Sequence, residues 1–94
     1  MAIDKPAKLD PETLALWAVT FLATNEERFM QFLTLTGMEP SQLSSRMQDP
    51  TTLAAILDYL LNWEPLLIEF AAEYQIQPYS IALARRRLPD PPEW

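Results

Sequence analysis

The sequence predicts an all-α fold, a compact domain of six helices. Three observations carry this. Apolar residues recur at three- and four-residue spacing along most of the chain, which is the signature of one buried helix face. No window of more than a few residues alternates apolar and polar, and a single glycine gives β-hairpin turns no support. Five prolines, Pro11, Pro40, Pro50, Pro65 and Pro78, each follow Asp, Glu or Gln and precede an apolar-periodic run. Proline suits the first helical position, where its missing N–H would have no partner anyway.

Those prolines place five helix starts, and Asn25, followed by two glutamates, supplies a sixth. The first helix is expected over about 10–24, burying Leu14, Trp17, Ala18, Phe21 and Leu22. The second covers about 26–36, with Phe29, Phe32 and Leu33 inward. Gly37 would close it in a left-handed turn, with Met38 placed to touch Leu33. A short third helix over about 40–47 offers Leu43 and Met47. The fourth, about 50–62, carries Leu53, Ile56, Leu57, Leu60 and Leu61. The fifth, about 65–74, carries Leu67, Phe70, Ala71 and Tyr74. It is apolar on more than one side, which predicts a central position, with a homodimer or a partner groove as the other way to cover it. The sixth, about 78–88, uses Ile81, Ala84 and Leu88.

Residues 1–9 are expected to be mobile, 10–88 to form one domain, and 89–94, "PDPPEW", to be an extended proline-rich tail. The two halves of the domain also align as a pseudo-repeat of two three-helix units. Asp10, Pro11, Thr13, Leu14 and Ala15 match Asp49, Pro50, Thr52, Leu53 and Ala54. Leu22, Phe32 and Pro40 match Leu61, Phe70 and Pro78. The turn at Gly37 thereby recurs at Gln75, so it reads as a packing unit more than as a DNA reader.

At this point the chain resembles a known group. The proline-started helix, "FLTLTG", the following P-x-x-L, "LDYLLNWEPLLIEFAAE" and the closing "ARRRLPDPPEW" are similar to the small bacterial domain-of-unknown-function family numbered 3572. The resemblance spans about residues 10–94 and rests on overall pattern. It implies a small all-helical domain and brings no activity and no site residues.

Composition excludes several function classes. Hydrophobic residues make up 49% of the chain, too many for general disorder. Cysteine and histidine are absent, which removes thiolate metal sites, disulfides and the usual general base. No apolar run approaches the roughly 20 residues that cross a bilayer. "MAIDKPAKLD" has no apolar secretory core, so a cytoplasmic address is expected, with no membrane contact. A net charge of −6 disfavours nucleic-acid binding. Seven acids, Asp10, Glu12, Glu26, Glu27, Glu39, Asp49 and Glu64, fall at predicted helix starts, where they complement free N–H groups and the dipole.

Candidate sites are few. The third helix, read as a DNA-recognition helix, offers Ser41, Gln42, Ser44, Ser45 and one cation, Arg46, between Glu39 and Asp49, which would repel phosphate. Arg85, Arg86 and Arg87 form the basic cluster, a candidate contact for an anion or an acidic partner. The competing reading places these cations in a last helical turn, where they offset the negative dipole end. Glu69 and Glu73 share a face at i, i+4 spacing, but without matched acids or histidine they read as a solvated surface. The serines have no histidine base, and Lys5 or Lys8 would have to fold back to supply one. A lone glycine cannot build a phosphate-cradling loop. Catalysis, cofactors and metals are therefore not expected. Trp17 reads as core, Trp63 lies at a helix junction, and Trp94 is expected to dock back on its own domain, with a partner contact as the alternative. The expected role is a non-enzymatic protein–protein interaction or adaptor domain. A helix-turn-helix-like DNA-binding protein is the alternative, and a small hydrolase the third.

Overall fold

A computed structural model describes residues 10–89. Six helices follow one another: α1 (Pro11–Ala23), α2 (Glu26–Thr36), α3 (Pro40–Ser45), α4 (Pro50–Leu61), α5 (Glu64–Tyr74) and α6 (Pro78–Arg86). The all-α expectation is met, and all six starts fall within one residue of the sequence reading.

The starts follow from local chemistry. Asp10 is extended and its carboxylate accepts from the Thr13 N–H at 3.1 Å. Asp49 accepts from the Thr51 N–H at 3.1 Å, and Asn25 from the Arg28 N–H at 3.1 Å. Each removes one unpaired donor of a first turn, a contribution of about 1 kcal/mol. Glu39 occupies the same position before α3 but makes no side-chain cap bond. Glutamate is not among the residues favoured at an N-cap, since its extra methylene carries the carboxylate past the nearby N–H groups. For α5 the cap position is Trp63, which has no side-chain acceptor, and the helix begins at Glu64 rather than Pro65.

Two ends are shorter than expected. Helix α3 stops at Ser45, where the Arg46 N–H bonds to the carbonyls of both Gln42 and Leu43. Asp49 must be extended to cap α4, and the proline after it disfavours helical backbone there, so residues 46–48 are needed for the turn. Helix α6 stops at Arg86, and the chain tightens through Arg87 N–H to Ala84 C=O and Leu88 N–H to Arg85 C=O. Pro89 imposes the same restriction on Leu88.

The left-handed closures were legible. Gly37 has φ 75° and its N–H bonds to the Leu33 carbonyl at 2.9 Å. A Cβ built there meets nothing within 4 Å, so only backbone conformation demands glycine. Gly37→Ala should therefore cost about 1 kcal/mol, the left-handed penalty less the entropy that glycine loses on folding. Thermal melts should show a drop of about 4–8 °C; an unchanged melting temperature would mean that the turn relaxes freely. Gln75, its counterpart after α5, takes φ 57° without being glycine. There the Ile76 N–H reaches the Ala71 carbonyl at 2.8 Å, and buried Ile76 follows the turn as an apolar clasp.

The core is continuous. Leu14, Ala18, Phe21 and Leu22 of α1 meet Ile56, Leu57 and Leu60 of α4, with Phe32, Phe70, Ile81 and Ala84 closing the sides. Helix α4 is the hub, packing against α1, α2, α5 and α6. This corrects the expectation that α5 is central. Helix α5 buries Leu66, Phe70 and Ala71, while Ile68 is 52% exposed and Ala72 faces solvent. Its extra apolar side is a surface. Trp17 and Leu67, expected to be buried, are half-buried at the core's edge. Trp17 stacks on Tyr74 with ring centroids 5.5 Å apart.

Pro40 opens α3 and Pro78 opens α6. The two helices differ in length, 6 residues against 9.

Candidate functional site

The three arginines of the basic cluster differ in setting. Arg85 turns toward α4 and its Nε donates to Asp58 Oδ1 at 2.7 Å, with the arginine side chain only 13% exposed. Its Nη1 lies 3.4 Å from the carbonyls of Leu88 and of Pro89. Arg85 is thus a clamp between α6, α4 and the chain beyond the helix. Arg86 and Arg87 are exposed, and the basic residues of α6's last turn are Arg85 and Arg86, where cations oppose the helix dipole. Arg46 is exposed at the end of α3. Trp94 lies outside the described residues, as do Lys5 and Lys8 and most of the proline-rich tail.

Glu69 and Glu73 both face solvent. They do not act as a pair, because Glu69 Oε1 accepts from Arg28 Nη2 across the gap to α2. Among the described residues no three of His, Cys, Asp and Glu come together in a way that could hold a metal ion. No helix among them is long and apolar enough to cross a membrane.

Two concave surfaces stand out. The first is an open groove of about 380 Å³ between α1 and α3, lined by Leu16, Val19, Pro40, Leu43, Ser44 and Met47. Among the described residues its only polar lining side chain is Ser44. Leu16 is 52% exposed at its edge, on a stripe of α1 that the core does not use. The period of α1 gives the reason. Leu14, Ala18, Phe21 and Leu22 already fill the inner face, so Leu16 is left outside.

The second surface is a cleft of about 210 Å³ where α2 faces the α4–α5 junction. Arg28 and Gln31 line it from α2, Tyr59 from α4, Trp63 from the junction, and Pro65, Leu66 and Glu69 from α5. Tyr59 is held edge-on by Phe32 at 5.0 Å and by Trp63 at 5.9 Å between centroids. Burial pushes the Tyr59 phenol above its ordinary value of 10.0, so it stays protonated and able to donate at neutral pH. Arg28 lies over the Phe21 ring, 5.1 Å from its centroid, while paired with Glu69. Both of its interactions are internal. A shallower hollow of about 340 Å³ adjoins along α2 and adds Asn25 and Glu27.

Sequence reading placed Trp63 at a helix junction and Glu69 on a solvated face but did not join them. The signal available was Arg28, the one cation between Lys8 and Arg46, on a helix that opens with two glutamates.

A family model described as a protein of unknown function, DUF3572, matches residues 8–91. No curated protein and no solved structure matches the chain.

Proposed function

This chain belongs to the DUF3572 family, whose description carries no activity, and we propose that it is a cytoplasmic, non-enzymatic protein–protein interaction or adaptor domain. The observation that carries this is the groove between α1 and α3, lined among the described residues by five apolar side chains and one hydroxyl. A small domain that could have faced this groove with charge leaves Leu16 and Met47 on it instead. Apolar concavities with a polar surround mark protein contact sites. The acidic surface is compatible with such a role, whereas a DNA reader needs a positive face.

Helix-turn-helix-like DNA binding is the alternative. Helix α3 would be its reading helix, but it has 6 residues and its one nearby cation is Arg46. The tested outcomes differ sharply. A photo-crosslinking residue in place of Leu16, in the cells that make the protein, should yield a discrete protein adduct, and the same residue in place of Arg86 should not. Purified protein should show no binding to random duplex DNA at physiological salt. Absence of any adduct, together with salt-dependent DNA binding in the range of about 1–100 μM typical of non-specific binders, would replace the first reading with the second.

A further inference from the structure

From the cleft between α2 and the α4–α5 junction, we propose a second binding site, for an extended proline-containing peptide segment of a partner protein that carries a basic residue beside its prolines. The inference rests on the interaction-domain reading but uses a different surface from the α1–α3 groove.

Three features select this class of ligand. The first is the wall of flat apolar surfaces. Trp63 is 37% exposed, stands edge-on to Tyr59 at 5.9 Å, and is followed two residues later by Pro65. Prolines in polyproline conformation present rigid, flat rings, and aromatic-lined grooves accept them at little entropic cost because the ligand is already ordered. The second is the placement of polar groups among those rings. Tyr59 retains its phenolic proton, and Gln31 brings an amide from α2. Both can donate to the carbonyls of an extended chain, which has no internal hydrogen bonds of its own.

The third feature is charge. The cation in the cleft, Arg28, is committed to Glu69 and to the face of Phe21. Glu69 uses Oε1 for that pair, and its side chain is 53% exposed. Glu27 extends the acidic side along α2, and the whole chain carries a net charge of −6. A cationic side chain lying across Trp63 would gain from both the indole face and the Glu69 carboxylate. An acidic segment would instead meet Glu27 and Glu69.

The geometry explains why Trp63 is exposed at all. It occupies the cap position of α5, where a side chain with an oxygen would serve the helix better. An indole there contributes nothing to capping, and it adds a large, partly exposed flat surface to the lining of the cleft.

The test uses the full chain, labelled with ¹⁵N, and three synthetic peptides followed by chemical-shift titration. The first is acetyl-APPLPPRA-amide, the second has its prolines replaced by alanine, and the third has its arginine replaced by glutamate. The first peptide should give saturable shifts centred on the Trp63 indole N–H and on the backbone of residues 28–31 and 59–69. The alanine and glutamate peptides should bind several-fold more weakly. Trp63→Ala should weaken binding about tenfold or more, as loss of an aromatic anchor does. Glu69→Gln, a substitution on an exposed side chain, should weaken it several-fold and reduce its salt dependence. No shift at millimolar peptide overturns the proposal, as does equal binding of the glutamate peptide or a shift pattern centred elsewhere. The crosslink at position 16 is unaffected by these outcomes, so failure here leaves the interaction-domain reading standing and removes only this site.

Discussion

Phe70→Ala is expected to lower stability by about 3–5 kcal/mol, the range for deleting a fully buried phenylalanine. Phe70 is 0% exposed and stands edge-on to Phe21 at 5.4 Å and tilted to Tyr74 at 4.9 Å. Its removal empties the junction where α5 meets α1, and Tyr74 loses support for its stack on Trp17. Domains of this size have a total stability of about 5–15 kcal/mol, so the loss is a large fraction of the whole. Thermal unfolding should shift downward by at least about 12 °C, and part of the population should be unfolded at physiological temperature. Phe29, half-buried on α2, provides the contrast. Phe29→Ala should cost clearly less. Equal melting temperatures for the two variants would mean that the ring cluster is not the keystone of the packing.

Arg85→Met carries the next largest effect. The change keeps most of the aliphatic stem and removes the bond to Asp58, leaving a carboxylate that is 39% exposed and so able to take up water. A charge-assisted contact this sheltered should be worth about 1–2 kcal/mol, above the range of exposed surface pairs. The melting temperature should fall by about 4–16 °C. Arg86→Met, one residue on and exposed, should move stability by no more than about 0.5 kcal/mol. A double-mutant cycle with Asp58→Asn isolates the pair. If Arg85→Met melts like the parent protein, the arginine is free for other work and the basic cluster regains its unity.

That contrast marks the boundary of what the sequence discloses. Asp10, Asn25 and Asp49 announce their helices because capping is settled within three residues. Gly37 announces a left-handed turn for the same reason. The division of labour among Arg85, Arg86 and Arg87 depends on Asp58, 27 residues away from Arg85, and nothing local encodes it. Arg28 and Glu69, 41 residues apart, are likewise joined only by folding. Helix α5 departs from its expected central place because its sequence states that it is apolar on several sides but not which sides its neighbours cover. Ala15 and Ala54, both buried, join the core without standing out in the apolar pattern. Alanine adds little hydrophobic signal, yet its small size lets two helices approach closely, and α1 and α4 do pack on each other. The cleft beside Trp63 combines three helices, so no single periodic pattern reveals it.

The contact between α1 and α4 bears on the order of events during biosynthesis. Of the helices that α1 packs against, only α2 follows it directly; α4 and α6 arrive much later in the chain. A nascent polypeptide ending near residue 48 would have α2 to set against α1, but the face of Leu14, Ala18 and Phe21 that α4 covers would stay open. Such a chain gains no reward for closing the loop until α4 has emerged. Cooperative folding is therefore deferred to the second half of translation, and the first half must survive as an unpaired, adhesive intermediate. Severed peptides 1–48 and 49–94 should each be largely unstructured alone and recover helicity when mixed. Were both to descend from one shorter ancestor, that ancestor could have covered this face only by joining a second copy of itself, along the seam where α1 and α4 now meet.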